Sequence, residues 1–160
     1  MVMIKLRMLE AADLATIQNW PSYSSEFEDL DYALRSNGWL AKFHGQPDTW
    51  IYIAEQEREI IAFSILSKTN KSDAEFRIAL RPDKIGRGIG NTITTMTLHA
   101  GFTEIGLSRI HLVVRKNNPR AIGLYKRIGF IECGDCVQNV NGKLVNFYAM
   151  DISSDAESKW

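Results

Sequence analysis

Apolar and polar positions along the chain follow two periods, and each period predicts one type of element. Alternation of polar and apolar residues, as in 75–78, is typical of a half-buried strand, whereas apolar residues three and four apart predict an amphipathic helix. Proline, glycine and polar turns separate these segments. The pattern predicts strands at 2–8, 50–55, 60–67, 75–80, 110–114, 130–140 and 144–152, and helices at 10–20, 26–37, 88–105 and 118–128.

The order of these elements is strand, two helices, a meander of strands, helix, strand, helix and hairpin. This order is typical of a mixed α/β sheet with helices on both faces. The pair Asn141-Gly142 between the last two strands is a strong signal for a hairpin turn. Because no repeat or linker interrupts the pattern, we expect one domain over residues 1–153 and a flexible tail at 154–160.

Composition is that of an ordinary globular protein. The chain has 160 residues, of which 45% are hydrophobic and 24% are charged, and its formal net charge is zero. No global charge would draw it to nucleic acid, and no apolar run is long enough to span a bilayer, so we expect neither partner. Since the first nine residues lack the apolar segment of a signal peptide, a cytoplasmic location is expected.

A glycine-rich loop follows the strand predicted at 75–80 and precedes the long helix. Its glycines, at 86, 88 and 90, let a ligand approach the backbone closely. The start of the following helix offers free N–H groups and the positive end of the helix dipole, and Arg87 adds charge. The loop therefore suits a pyrophosphate.

Two common phosphate-binding motifs do not fit this loop. A P-loop needs a Lys-Ser/Thr pair after its second glycine, and none follows Gly86. A dinucleotide-binding fingerprint needs a third glycine where this chain has Asn91 or Ile93. The next strand also ends in the basic pair Arg115-Lys116, which has the wrong charge for holding a ribose.

A second motif lies in the helix predicted at 118–128. Asn118 is suited to the N-cap, because proline follows at the first helical position. Gly129 is suited to end the helix. One face of the helix carries Ala121, Leu124, Tyr125 and Ile128.

Together the two motifs resemble those of the GCN5-related N-acetyltransferase (GNAT) superfamily. The loop pattern of that family, Arg/Gln-x-x-Gly-x-Gly/Ala, is matched at Gly88 and Gly90, with Ile85 in place of the leading residue. Residues 4–20 are similar to the family's opening strand and helix, so the resemblance covers nearly the whole chain. The helix pattern Asn-x-x-Ala-x-x-Leu-Tyr-x-x-x-Gly-Phe is matched at Asn118, Ala121, Leu124, Tyr125, Gly129 and Phe130.

This resemblance implies a mixed, mostly antiparallel central sheet that is splayed at the acyl-CoA site, with helices on both faces. It implies acetyl-CoA as co-substrate and no metal. The pantetheine arm, which resembles a peptide, would add to the edge of the strand before the loop. The implied cofactor-binding residues are Ile78, Ala79, Leu80, Ile85, Gly86, Arg87, Gly88, Ile89, Gly90, Asn91, Asn118, Ala121 and Tyr125.

The implied activity is transfer of an acetyl group to a primary amine of a small molecule, protein or peptide, by direct attack in a ternary complex. Tyr125 is the implied acid for the departing thiolate, because a phenol with a pKa of about 10 stays protonated at neutral pH. Glu75 is the implied base, directly or through water; an exposed carboxylate or a partner for Arg77 is equally open. The alternative class is a non-catalytic acyl-CoA-binding or sensing domain, which would lose these proton-handling residues.

The acceptor site is expected in the first two predicted helices and their connection. That region combines aromatic rings and carboxylates, which suit a cationic amine. Tyr23 and Glu26 are the candidate substrate-binding residues. The alternative is that the aromatic residues are core and the acids form a solvated helix face.

Two further features concern metals and oligomers. Cys133 and Cys136 are spaced as C-x-x-C, but no further zinc ligands and no helix start lie beside them, so we interpret both as ordinary thiols. The terminal hairpin would leave a long strand edge exposed, and relatives often pair at this hairpin. We therefore predict a homodimer.

Overall fold

The computed structural model of the chain describes residues 3–140 and 142–159. Seven strands form one open, mostly antiparallel sheet, as the sequence predicts. The predicted turn residue Asn141 lies outside the described residues. The strands are β1 (Ile4–Met8), β2 (Thr49–Gln56), β3 (Glu59–Lys68), β4 (Asp73–Leu80), β5 (Arg109–Arg115), β6 (Ile131–Val140) and β7 (Lys143–Ser153). Their hydrogen-bonded order is β1-β2-β3-β4-β5-β7-β6.

Helices of three kinds connect the strands. The α-helices are α1 (Ala11–Gln18), α2 (Trp39–Phe43), α3 (Ile89–Ala100) and α4 (Pro119–Ile128). A π-helical turn at Gly101–Ile105 follows α3. Gly106 ends that turn with a left-handed φ of 82°. Shorter 3-10 helices form at Ser25–Leu34, Pro82–Lys84 and Ser154–Lys159.

Two segments differ in form from the sequence-based expectation. The helix predicted at 26–37 is a 3-10 helix that ends at Leu34, because Arg35 is extended with φ −89° and ψ 176°. The segment expected to be a flexible tail is helical from Ser154 to Lys159. There, Glu157 Oε2 lies 2.5 Å from His99 Nδ1.

The described residues pack as two compact units, each of which is described by itself. The first contains the residues up to Ser67 together with Arg77–Thr97, and the second contains Lys68–Phe76 together with the residues from Leu98 onwards. The boundary falls inside β4, so one strand supplies residues to both units.

In the first unit, the strands bury opposite faces against different helices. One core cluster joins residues of α1 and α2 to Phe63, Ile65 and Ala79. The other joins residues of α3 to Ala62, with Ile78 packed against it. Because neighbouring residues of a strand point to opposite faces, the two clusters share β3 and β4, and helices cover both faces as predicted.

In the second unit, β7 pairs antiparallel with both β5 and β6. The first part of β4 pairs parallel with β5 over three residues, from Asp73–Arg109 to Glu75–His111. Among the described residues this register goes no further, although β5 itself continues to Arg115. No helix in residues 3–140 and 142–159 combines the length and apolar character needed to cross a membrane.

Candidate active site

The glycine-rich loop lies between β4 and α3 in the first unit. Gly86 and Gly88 have left-handed φ values of 81° and 78°, which only glycine adopts without strain. A Cβ placed on Gly88 would meet nothing within 4 Å, so the backbone there faces open space. Gly88 directly precedes α3, whose first N–H groups have no partners within the helix. This arrangement fits a bound anionic group.

Side chains at both ends of the loop hold it to the first unit. Ile85 packs against the same cluster as α1, and Ile89 is buried in the cluster of α3. Arg81 closes the turn before the loop, with Nε 2.7 Å from Asp83 Oδ1, and its Nη1 and Nη2 reach Glu59 at 3.4 Å. Arg87 and Asn91 stay exposed.

The end of β4 is fixed by a tyrosine from outside the sheet. The hydroxyl of Tyr23 donates a 2.6 Å hydrogen bond to the carbonyl of Leu80. Tyr23 is buried among the residues of α1, and burial raises the pKa of its phenol. The adjacent N–H of Arg81 donates to the carbonyl of Ile61 on β3 at 2.7 Å. The last residues of β4 are therefore anchored before the chain enters the loop.

Tyr125 lies in α4, in the second unit. Only 9% of its surface is exposed, and its ring packs edge-on against Phe76 at 6.4 Å and against Phe130 at 5.5 Å between centroids. Burial raises the pKa of the Tyr125 phenol, so this group is protonated throughout the neutral range. A protonated phenol is able to donate to a thiolate.

Asn118 begins α4 as the sequence predicts. Its side-chain oxygen accepts a 3.2 Å hydrogen bond from the N–H of Ala121, and Pro119 occupies the first helical position. The cap uses only the side-chain oxygen of Asn118 as an acceptor, so it leaves the side-chain NH2 group to donate to a different partner. Gly129, with φ 126°, ends the helix.

Glu75 lies at the last position where β4 and β5 are in register. Its partner across the strands is His111, and His111 is in turn opposite Asp151 on β7. Partners across a sheet lie on the same face, so an imidazole is flanked by carboxylates on two neighbouring strands. His111 Nε2 lies 3.0 Å from the hydroxyl oxygen of Thr69.

The pKa of His111 is set by its burial together with the charges around it. Burial lowers the pKa of His111, and the charge of Arg109 lowers it further; the charges of Glu75, Asp73 and Asp151 raise it. Arg109 itself binds both aspartates, at 3.2 Å to Asp73 and 2.9 Å to Asp151. The net effect is a lowered pKa, which favours a neutral imidazole at neutral pH.

An arginine organises the connection predicted to bind the acceptor. Both side-chain oxygens of Asp31 accept from Arg35, at 2.9 and 2.6 Å, and this pairing lowers the pKa of Asp31. The same guanidinium donates to the carbonyls of Gln18 at 3.2 Å and Trp20 at 2.7 Å. Asp31 also accepts from the N–H of Tyr23.

Of the two candidate acceptor residues, Glu26 is exposed on the 3-10 helix and Tyr23 is buried. The aromatic rings nearby belong to the core, and Arg77 covers two of them. Its guanidinium carbon lies 4.4 Å from the ring centre of Phe43 and 6.0 Å from that of Trp39. A cation from the chain itself therefore lies over Trp39, one of the aromatic rings in the region where we expect the acceptor.

The two cysteines lie on β6. Cys136 is opposite Phe147 on β7, and Cys133 falls at an irregularity of the register, where it is exposed. In the part of the chain that the structure describes, no three His, Cys, Asp or Glu side chains are grouped closely enough to hold a metal ion.

The sequence alone does not single out His111 as part of a site. Histidines occur at three separate positions, and only the pairing of β4 with β5 brings one of them beside Glu75. The fixing of Leu80 by Tyr23 is missed for the same reason, since 57 residues separate the two. Contacts of this kind join residues far apart in sequence and leave no local signal.

Comparisons with known proteins agree with this geometry. The sequence model of the acetyltransferase (GNAT) family matches residues 13–130. A spermidine N(1)-acetyltransferase of Vibrio cholerae is 28% identical over 93% of this chain and 92% of its own length. The Escherichia coli enzyme of the same name is 32% identical over 49% of this chain and 44% of its own length. A crystal structure of the Vibrio cholerae spermidine N-acetyltransferase in complex with CoA and spermine has a TM-score of 0.80 at 26% identity, covering 97% of this chain and 98% of that one.

The chain belongs to the acetyltransferase (GNAT) family. It is an N-acetyltransferase that takes the acetyl group from acetyl-CoA and transfers it to a primary amine. The alternative of a non-catalytic acyl-CoA-binding domain is therefore not retained.

Proposed function

We propose that the acceptor is a polyamine of the spermidine type. The observation that carries this proposal is the likeness to spermidine N(1)-acetyltransferase over nearly the whole length of both chains. Exposed carboxylates on the 3-10 helix support it: Glu26, Glu28 and Asp29 all lie on the surface there. Polyamines carry several positive charges at neutral pH, so such a surface attracts them over a distance of about 8–10 Å at physiological salt.

Within this acceptor region, Glu26 and Tyr23 have different proposed roles. Glu26 is exposed and pairs with an ammonium group of the acceptor. Tyr23 acts from the core, because its hydroxyl fixes the end of β4. Asp31 is engaged by Arg35, so it shapes the connection and does not compete for the acceptor.

For acetyl-CoA, we propose that the pyrophosphate lies over the N–H groups of residues 86–91. The open space at Gly88 and the start of α3 support this placement. Backbone groups of Ile78, Ala79 and Leu80 then hydrogen-bond the pantetheine as an added strand would. The remaining proposed contacts are the backbone at Ile85 and Ile89, the side chain of Arg87, and Asn118, Ala121 and Tyr125 of α4.

For the chemical step, we propose direct attack of the amine on the thioester carbonyl. A carbon–nitrogen bond forms, the carbon–sulfur bond breaks, and the thiolate takes a proton from Tyr125. The amine loses its proton to a base that includes Glu75, directly or through water. Phenol donation is suited to this site because burial keeps Tyr125 protonated.

The identity of the acceptor is tested by measuring the release of the CoA thiol with each amine of a panel. Spermidine, spermine, putrescine, an aminoglycoside and a lysine peptide are compared by kcat/KM, with products identified by mass spectrometry. We expect the polyamines to be preferred, and the KM for spermidine to rise with salt as the carboxylates are screened. Faster acetylation of the peptide than of every polyamine contradicts the proposal.

The direct mechanism is tested separately by initial-rate kinetics with both substrates varied. Attack in a ternary complex gives intersecting double-reciprocal lines, whereas an acetyl-enzyme intermediate gives parallel lines. Intersecting lines are expected, and parallel lines together with acetylated protein in a mass spectrum contradict direct attack.

We also propose that residues 1–153 act as a single acetyltransferase domain in the cytoplasm. The family match runs through both compact units, and β4 supplies residues to each. A homodimer is proposed through the terminal hairpin, since β6 ends the order of strands and exposes Ile131 and Val137. Light scattering at micromolar concentration tests it, and the mass of a monomer contradicts it.

A further inference from the structure

The last paired position of β4 and β5 carries a histidine that the proposed chemical step has not used. Three chemically reactive side chains, Glu75, His111 and Asp151, occupy neighbouring strands at one level of the second unit. Arg109 binds Asp151 at 2.9 Å and thereby offsets its charge. Glu75 is the register partner of His111 on β4. Of the three carboxylates whose charges raise the pKa of His111, Glu75 has the largest effect.

Contacts of the imidazole favour one of its two neutral tautomers. His111 Nε2 is 3.0 Å from Thr69 Oγ1, and that hydroxyl is also 3.4 Å from the carbonyl oxygen of Asp73. A hydroxyl has one hydrogen, so both contacts are hydrogen bonds only if Thr69 donates to Asp73 and accepts from Nε2–H. In that arrangement Nδ1 of His111 carries the lone pair and is able to accept a proton.

We propose that His111 is a second proton-handling residue of the acetyl transfer, and that it takes the proton of the acceptor amine with Glu75 as its charged partner. This inference rests on the proposed function. The attacking nitrogen bonds to the acetyl carbon and gives its proton to Nδ1 of His111, while the thiolate that leaves is protonated by Tyr125. Glu75 stabilises the imidazolium that forms.

The groups facing His111 agree with this role. On β4 these are Asp73 and Glu75, on β5 Arg109, and on β7 Asp151. Burial and Arg109 keep the imidazole neutral before reaction, which a base requires, and the carboxylates stabilise it once it is charged. The ordinary pKa of histidine is about 6.5, and burial lowers the pKa of His111 below it, so the imidazole is unprotonated at neutral pH and able to take a proton.

Two measurements test the interaction of Glu75 with His111 and its role in the reaction. The first does not require enzyme activity. The imidazole of His111 is titrated by NMR, with His111→Gln used to assign its signal among the three histidines. In Glu75→Gln the pKa of His111 falls further, because a negative neighbour is lost. If the titration of His111 is unchanged in Glu75→Gln, the pairing is overturned, whatever the activity of the enzyme.

The second measurement is the pH profile of kcat/KM for the wild-type protein and its variants, with the best amine of the panel. His111→Gln is expected to lose roughly 10²–10⁴-fold in kcat, to keep its affinity for CoA, and to lose the limb that rises with pH below about 6.5. Added imidazole restores part of the rate in His111→Ala. His44→Gln is the matched control, since His44 is exposed, and it keeps wild-type activity.

Two kinds of result would contradict the role of His111 as the base for the acceptor amine. A His111→Gln protein that turns over within threefold of wild type, or that keeps the wild-type pH limb, shows that another group takes the proton. If His111→Gln has a lower melting temperature and added imidazole does not restore the rate of His111→Ala, the role of His111 is structural. Wild-type protein that acetylates no amine overturns the proposed function itself, whereas the NMR titration still reports on the pair.

Discussion

The hydroxyl of Tyr23 donates to the carbonyl of Leu80 at 2.6 Å, which joins the segment after α1 to the last residue of β4. Replacing Tyr23 by phenylalanine keeps the ring but leaves a partly buried carbonyl without this donor. The expected loss in the free energy of unfolding is about 1–3 kcal/mol, measured by urea denaturation. We expect weaker CoA binding as well, because the end of β4 is less firmly held.

Glu26→Gln is the matched comparison for Tyr23→Phe. Glu26 is exposed, so its variant should keep full stability and raise only the KM for spermidine. A rise in the KM for spermidine in Tyr23→Phe, at unchanged stability, would instead assign Tyr23 to the acceptor.

Replacing Gly88 by leucine tests the placement of the pyrophosphate. An added Cβ meets no protein atom within 4 Å, so we expect the fold to survive while the side chain fills the space above the loop. Left-handed φ at a residue with a Cβ costs roughly 1–2 kcal/mol. We expect calorimetry to show no CoA binding at concentrations that saturate the wild-type protein.

A matched control for this strain is Gly106→Leu. Gly106 has φ 82°, is exposed, and also has no atom within 4 Å of its added Cβ, but it lies outside the loop. It should lose similar stability and keep its CoA affinity. Equal CoA affinity in Gly88→Leu and Gly106→Leu would contradict the loop as the pyrophosphate site.

Tyr125→Phe removes one hydroxyl and keeps the ring packing against Phe76 and Phe130. The proton is needed only as the carbon–sulfur bond breaks, so the loss should appear in turnover and not in CoA affinity. We expect a drop of roughly 10²–10⁴-fold if chemistry limits the rate. Single-turnover kinetics measures that step directly, and a wild-type rate there would make Tyr125 a structural residue.

The ion pair of Asp13 with Arg7 makes stability depend on pH. Hydrogen bonds from Arg7, at 2.8 and 2.9 Å, lower the pKa of Asp13 below its ordinary value of about 3.9. A depressed pKa contributes stability that is complete above pH 4 and lost as the pH falls through the folded-state value. Urea unfolding at pH 7, 5 and 3 should show this loss.

Asp13→Asn should remove part of that pH dependence and cost about 1.5–3 kcal/mol at pH 7, as expected for hydrogen bonds to a charged group. Glu104→Gln removes an equal charge from an exposed position and should leave the slope unchanged. Identical slopes in wild type and Asp13→Asn would show that other carboxylates carry the acid sensitivity.

Replacing Cys133 and Cys136 together by serine should leave acetyl transfer and stability near wild-type values. Both lie on β6, and Cys133 is exposed at an irregularity of the strand pairing. Stoichiometric zinc in the purified protein, or loss of turnover in the double variant, would contradict their interpretation as ordinary thiols.

Local chemistry made much of this fold predictable. The cap at Asn118, the end of α4 at Gly129 and the left-handed turns at Gly86 and Gly88 each depend on one residue and its immediate neighbours. The strands could be predicted for a similar reason, because side chains on opposite faces of a strand alternate every two residues along the sequence. The residues proposed to bind acetyl-CoA therefore lie on the strand, loop and helices that the sequence predicts.

The remaining features depend on residues far apart in sequence. The 3-10 helix replaces the predicted α-helix where Arg35 leaves helical geometry and binds the carbonyls of Gln18 and Trp20. The meeting of Glu75 with His111 follows from the register of β4 and β5 alone. No local pattern encodes either arrangement.

The hydrogen bonds of Arg35 form a clamp that holds the backbone of the connection after α1 independently of the exposed side chains nearby. One guanidinium holds the carbonyls of Gln18, Trp20 and Pro21 together with Asp31, and it leaves the exposed side chains of the neighbouring helix outside its contacts. Substitutions among those exposed side chains alter charge without disturbing the clamp. Because the proposed acceptor residues lie among these exposed side chains, substitutions there would change the amine preference while the backbone beneath keeps its shape.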